Sequence, residues 1–182
     1  MTDMDRAIEL AKQVKFVVLD IHGILTDNTL YYTDDGKKSE CFSLADRLGC
    51  IALMKGDIGI SFLTSKISRA DEQVGEIYHV PPEMRWGSSA KMARLDEFEK
   101  DSGFKDQDLC YVGDEMIDLG VMSRVGFPVA PSDGAIEAKG VAAYITKAGG
   151  GKGVVREIAE FILKAQGKWD DIIQEISKSG LS

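Results

Sequence analysis

The stretch FVVLDIHGILTDN, residues 16–28, decides how this chain folds. Its first four residues, Phe16, Val17, Val18 and Leu19, are all apolar, and the run stops at Asp20. A strand buried on both faces of a parallel sheet reads this way, because neither face meets water. Outward from it, short apolar runs recur at 58–63, 77–80, 109–112, 127–130 and 143–146. Helical spacing fills the intervals at 68–74, 89–100, 116–124 and 135–139, and a long helix over 153–166 follows. An amphipathic helix over 5–15 precedes the first strand, and an amphipathic tail lies around 169–176. Six strands alternating with helices predict an α/β fold, a doubly wound, mainly parallel, Rossmann-like sheet.

One piece breaks the alternation. TLYYT and KKSECF flank Asp34-Asp35-Gly36, so residues 29–42 are predicted as a β-hairpin projecting from the sheet. Tyr31 and Tyr32 straddle it, one of them expected to face a partner or the sheet. Ser43-Leu44-Ala45-Asp46 resembles a capping box that opens a helix ending near Gly56. With no internal repeat and no linker, 1–182 reads as a single domain with its core at about 14–168 and a tail at 169–182.

Charge and composition exclude several classes of function. Against 22 Lys and Arg stand 30 Asp and Glu, a net charge of −8, which argues against a general affinity for nucleic acid or anionic lipid. Cys41, Cys50 and Cys110 form no Cys-x-x-Cys and read as reduced thiols, so a cytoplasmic protein is expected. With only His22 and His79, a multi-histidine zinc site is excluded, and His79 reads as a packing residue. No apolar run approaches the ~18 residues of a membrane span.

Chemistry in an open parallel sheet gathers at the carboxyl ends of its strands. Asp20 ends the first strand; LCYV runs into Gly113-Asp114-Glu115-Met116-Ile117-Asp118; ISFL ends in Thr64; and Lys91 begins a helix. Singly, each is more often a turn former, a cap or a solvated charge. Together they would bring carboxylates, a hydroxyl and an ammonium to one edge. Hard oxygen ligands suit Mg²⁺, and a carboxylate beside such an ion can attack phosphorus. The Gly149–Gly153 run with Lys152 is a second candidate, a glycine turn entering a helix that could bind phosphate through N–H groups. It lacks the Ser/Thr of a P-loop.

In this order the residues resemble the haloacid dehalogenase (HAD) superfamily of phosphatases. Asp20 to Asn28 is similar to its Asp-x-Asp-Gly-x-x-Thr-Asp-Gly signature, and Thr64, Lys91 and Gly113-Asp114-Glu115-x-x-Asp118 match its later motifs. The hairpin, a Phe-x-x-x-Asp segment (Phe42 to Asp46) and Gly150-Gly151-Lys152-Gly153-Val154-Val155-Arg156-Glu157 resemble the capless branch that contains 3-deoxy-D-manno-octulosonate (KDO) 8-phosphate phosphatases. The likeness runs over about residues 14–168.

That resemblance implies a Mg²⁺-dependent phosphomonoesterase, without a cap domain, acting on a small anionic sugar phosphate. KDO 8-phosphate or a related 2-keto-3-deoxy sugar acid phosphate is the implied substrate, within lipopolysaccharide biosynthesis. Asp20 would be nucleophile and metal ligand, with Asp114 and the backbone carbonyl of His22 completing the protein ligands. Glu115 and Asp118 would support the metal. Thr64, Ser65, Lys91 and Arg156 would hold the phosphoryl group or substrate. A homotetramer is implied, with the hairpin and an adjoining subunit enclosing the site. The sequence departs from the pattern at His22, where the family has its acid/base Asp, and also at Arg47, Ser65-Lys66, Ala90 and Glu115. A histidine can still move protons near neutral pH. The competing reading is a catalytically weak module that acts in oligomerisation or partner binding, and a less favoured one is a regulatory phosphate site at Gly149–Gly153.

Overall fold

The computed structural model describes residues 2–179, and its centre is a six-stranded, all-parallel sheet. The elements are α1 (Asp3–Gln13), β1 (Phe16–Leu19), β2 (Tyr31–Tyr32), β3 (Lys38–Ser39), α2 (Leu44–Lys55), β4 (Gly59–Thr64) and α3 (Arg69–Ile77). They continue as β5 (Arg85–Gly87), α4 (Lys91–Ser102), β6 (Leu109–Val112), α5 (Leu119–Met122), β7 (Phe127–Ala130), α6 (Ile136–Val141), β8 (Tyr144–Ile145), α7 (Val154–Ala165) and α8 (Trp169–Ser179). The strand order is β5-β4-β1-β6-β7-β8. From β1 the chain winds outward through β4 to β5, then returns to lay β6 on the other side of β1. The order therefore reverses between β1 and β6, and a crevice opens at their carboxyl ends.

All four residues of β1 are buried, and they divide between two cores. Val17 and Leu19 join Ile60, Phe62 and Val112 under α1, α2 and α7. Phe16 and Val18 face the other way, with Leu63, Tyr111, Leu95, Phe98 and Val121. Each such aliphatic side chain contributes ~1.5–3 kcal/mol on burial, so β1 is fixed from both faces. No helix among the described residues is long and apolar enough to cross a membrane.

Two sequence expectations need correcting. Residues 77–80 are not a strand: Ile77 ends α3, Tyr78 caps it and His79 turns the chain at φ 61°. Tyr78 and Val80 are buried while Ile77 and His79 are exposed, an inside–outside pattern that a helix end shares with a strand. His79 accordingly does not pack in the core; its Nε2 lies 3.2 Å from the Arg47 guanidinium. The sixth strand is Arg85–Gly87, an edge strand with one buried side chain, Trp86, and too little apolar sequence to be noticed.

Ser43 does cap α2, accepting from the Ala45 N–H at 3.2 Å, but Asp46 does not reach back to complete a capping box. Its buried carboxylate instead accepts from the N–H groups of Gly153 (3.1 Å), Val155 (2.7 Å) and Arg156 (3.3 Å) at the start of α7. The helix dipole favours that anion. Residues 31–39 form the predicted hairpin as a separate two-stranded ribbon, with Leu30, Tyr31 and Tyr32 all exposed.

Candidate active site

The crevice between β1 and β6 holds a buried cluster of acids. Asp20 follows β1, its N–H donating to the Val112 carbonyl of β6 at 3.0 Å, so its position is set by the sheet ladder. Asp114 follows β6, and Asp118 lies one turn further on. Carboxylate atoms of the three lie within 4.8 Å of one another. Gly23 makes room for them: at φ 82°, a Cβ there would sit 1.9 Å from Asp114 Oδ2.

The three acids differ in what they have left to offer. Asp118 is fully buried and committed: Oδ1 accepts from Lys91 Nζ (2.7 Å) and the Tyr111 hydroxyl (2.6 Å), and Oδ2 from the N–H groups of Asp114 (3.1 Å) and Glu115 (3.2 Å). Asp20 Oδ1 accepts from the Ile21 N–H at 2.9 Å and lies 3.1 Å from Lys91 Nζ. Asp114 Oδ1 is buried with no hydrogen-bond partner, an orphaned anionic acceptor that costs free energy unless a cation meets it. Burial first, then the negative charges of Asp20 and Asp118, push the Asp114 carboxyl up to about 7. Burial also raises Asp20 to about 6, against the opposing pull of Lys91. Acids crowded in this way, with unspent oxygens, suit a hard divalent cation such as Mg²⁺.

Lys91, the first residue of α4, is the one ammonium that reaches the described cluster, bridging Asp20 and Asp118. Asp20, His22, Asn28, Thr64, Ser65, Lys66, Asp114, Glu115 and Ile117 line an open cavity of about 380 Å³. His22 Nδ1 lies 3.5 Å from Thr64 Oγ1. Glu115 is exposed, and its Oε1 accepts from the Met116 N–H at 2.7 Å, capping the short turn 116–118. That turn shortens the helix expected over 116–124 to Leu119–Met122.

Arg156 is not brought to the cavity within this chain. Its guanidinium stacks over the Trp169 ring at 4.5 Å and pairs with Glu160 at 3.0 Å. The glycine run is closed as well. The N–H of Gly150 donates to Asp133 Oδ1 (2.9 Å), that of Gly151 to the Ile24 carbonyl (2.9 Å), that of Lys152 to the Gly149 carbonyl (3.1 Å) and that of Gly153 to Asp46. No N–H from 150 to 153 is left for a phosphate. These glycines are needed for close approach, since a Cβ on Gly150 would fall 2.2 Å from the Gly23 carbonyl oxygen.

Sequence reasoning passed over Tyr111, which ties Lys91 to Asp118, and Glu40, whose Oε1 lies 3.0 Å from His22 Nε2. The lone hydroxyl-bearing residue in LCYV was a usable signal for the first. Nothing local signals the second.

No family model matches the chain. It is 29% identical over 164 residues to 3-deoxy-D-manno-octulosonate 8-phosphate phosphatase of Escherichia coli K12, covering 90% of this chain and 87% of that protein. The fold matches that of the Moraxella catarrhalis phosphatase of the same name, solved in complex with magnesium ion, phosphate ion and KDO, with TM-score 0.89, 29% identity and coverage of 95% and 99%. A Legionella pneumophila protein assigned to the HAD superfamily, subfamily III A, superposes with TM-score 0.91 at 27% identity, covering 97% of each chain. With the acids of the first and fourth motifs, Thr64 and Lys91 gathered at one switch point, the chain resembles these haloacid dehalogenase superfamily proteins in both sequence and fold.

Proposed function

We propose that this chain is a Mg²⁺-dependent phosphomonoesterase hydrolysing a small anionic sugar phosphate, KDO 8-phosphate or a related 2-keto-3-deoxy sugar acid phosphate. The observation that carries this reading is the pairing of Asp20 with the orphaned Asp114 carboxylate across the β1–β6 crevice. Asp20, Asp114 and the His22 carbonyl would hold the ion, with Asp118 and Glu115 shaping the loop that carries Asp114. When bound, Mg²⁺ supplies positive charge that offsets the crowded acids and the phosphoryl oxygens.

Oδ1 of Asp20 is held by Ile21 and Lys91, which leaves Oδ2 to attack phosphorus. The new Oδ2–P bond forms as the ester P–O bond breaks, and His22 donates a proton to the departing sugar oxygen. In the second half, neutral His22 takes a proton from water as that water attacks the aspartyl-phosphate. Phosphate leaves and Asp20 is restored. Lys91 and the Thr64 hydroxyl steady the phosphoryl oxygens, with Ser65 beside them; little else is required, since phosphoryl transfer depends mainly on positioning and charge.

The domain would work as a homotetramer. The exposed Leu30, Tyr31 and Tyr32 give the hairpin apolar surface that contact with another copy would cover, and Arg156 would serve substrate across such a contact. Phosphate release measured over a panel of sugar phosphates, with and without Mg²⁺, tests the activity. The greatest turnover is expected on KDO 8-phosphate, and release no greater than that of Asp20→Asn on every substrate would overturn the proposal. Sedimentation at micromolar concentration tests the assembly: a fully active monomer would remove the shared site.

A further inference from the structure

The hairpin does more at the site than its exposed face suggests. Lys38 and Glu40 are two residues apart, so they share one side of the ribbon. Unlike the rest of the ribbon, the Glu40 side chain is 4% exposed. Its Oε2 lies 3.3 Å from Lys38 Nζ. Its Oε1 is shielded from solvent and makes no hydrogen bond, an unsatisfied acceptor that lies 3.0 Å from His22 Nε2, within reach of a small turn of the ring. The imidazole is itself a third exposed, 32% by side chain, and its opposite nitrogen faces Thr64 at 3.5 Å.

We infer that Glu40 is a positioning residue: its carboxylate accepts from Nε2–H of His22, fixes the ring's tautomer and orientation, and aims Nδ1 into the cavity beside Thr64. This rests on the reading of His22 as the proton carrier proposed above. A ring one third exposed in an open cavity is free to rotate about two bonds, and each misaimed rotamer takes Nδ1 away from the sugar oxygen. A carboxylate on the far nitrogen removes that freedom, as acids do for catalytic and metal-binding imidazoles elsewhere. The proton given to the sugar oxygen leaves from Nδ1, and the one taken from water returns there, while the Nε2–H···Oε1 contact persists throughout.

The test uses the full chain with Mg²⁺ and two substrates. KDO 8-phosphate has an alkoxide leaving group that needs a proton, whereas p-nitrophenyl phosphate has one that does not. Glu40→Ala is expected to lower kcat on KDO 8-phosphate about tenfold with KM within about twofold, and to cause a smaller fall, about threefold, on the aryl ester. Combined with His22→Ala it should add no further loss. Glu40→Gln, whose amide oxygen still accepts, should recover most of the kcat. Equal falls on both substrates, multiplying losses in the double variant, or no recovery by Glu40→Gln would overturn the inference. Full turnover of KDO 8-phosphate by His22→Ala would instead sink the proton-carrier reading itself, and the catalytic role of Glu40 with it. A readout without turnover stands beside these. In the metal-free protein at alkaline pH, the ¹⁵N spectrum of His22, assigned with His79→Gln, should show the Nε2–H tautomer and lose that preference in Glu40→Ala. A dominant Nδ1–H tautomer in the parent protein would overturn the inference.

Discussion

The β1–β6 crevice and the Gly149–Gly153 turn both look from sequence like places for an anion or a cation, and the structure separates them by what each has left unspent. In the crevice, Asp114 Oδ1 has no partner, and burial, aided by the neighbouring acids, makes Asp20 and Asp114 hold their protons to about 6 and about 7. In the glycine turn, Asp133, Asp46 and backbone carbonyls take up the N–H groups of residues 150 to 153. A ligand site keeps polar capacity that the fold does not satisfy, at a cost in stability. A turn whose N–H groups at 150 to 153 are spent on the protein itself holds the fold together, whatever its motif resembles.

That contrast can be broken by experiment, and the largest effect is expected at Asp20. Asp20→Asn keeps the shape but removes the attacking charge, so phosphate release should fall at least about a thousandfold, ~4 kcal/mol of transition-state stabilisation. A folded variant with near-parental turnover would deny the crevice its chemistry. Next comes His22→Ala, expected to slow hydrolysis of a sugar phosphate about a hundredfold at neutral pH, measured as steady-state kcat. His22→Asp, which restores the aspartate of the related proteins, should be far less damaging.

The glycine turn should answer in stability instead. Asp46→Ala strips three N–H groups at the start of α7 of their buried acceptor, so urea denaturation should report a loss of about 3 kcal/mol. Turnover per folded molecule should stay within about twofold. If the variant kept its stability but lost turnover, the turn would belong to the site after all.

The smallest expected effect is a pH dependence of metal binding. Both Asp20 and Asp114 hold protons more tightly folded than unfolded, so the metal-free protein binds excess protons between about pH 4 and pH 7. The contribution of these two acids to stability is therefore fullest below the unfolded carboxyl range and is lost as pH rises through about 7. A divalent cation must displace those protons, so its stabilisation has the opposite slope. At pH 8, Mg²⁺ at a hundred times its dissociation constant should raise Tm by roughly 5–10 °C, and the same concentration should do much less at pH 5. Equal gains at both pH values would mean that the cation binds somewhere other than these acids.

Residue sequence by itself determined the frame: five of the six apolar runs became adjacent parallel strands of one sheet, and the first of them, with no polar face, is buried on both sides. It also determined that Asp20 and Asp114 stand at strand ends, since Asp20 directly follows such a run and Asp114 follows one after a single glycine. Tertiary structure decided the rest. Residues 77–80 could not be told from a strand by pattern, because the end of α3 also alternates buried and exposed side chains. The edge strand Arg85–Gly87 needs only one buried side chain and so leaves little trace. Where Asp46 points, whether the glycine turn is closed, where Arg156 lies and that Glu40 reaches His22 all depend on partners 13 to over 100 residues away in the chain, which no local pattern encodes. Strand placement follows from local hydrophobicity; the hydrogen-bond partner of a buried polar atom is set only when the chain has closed around it.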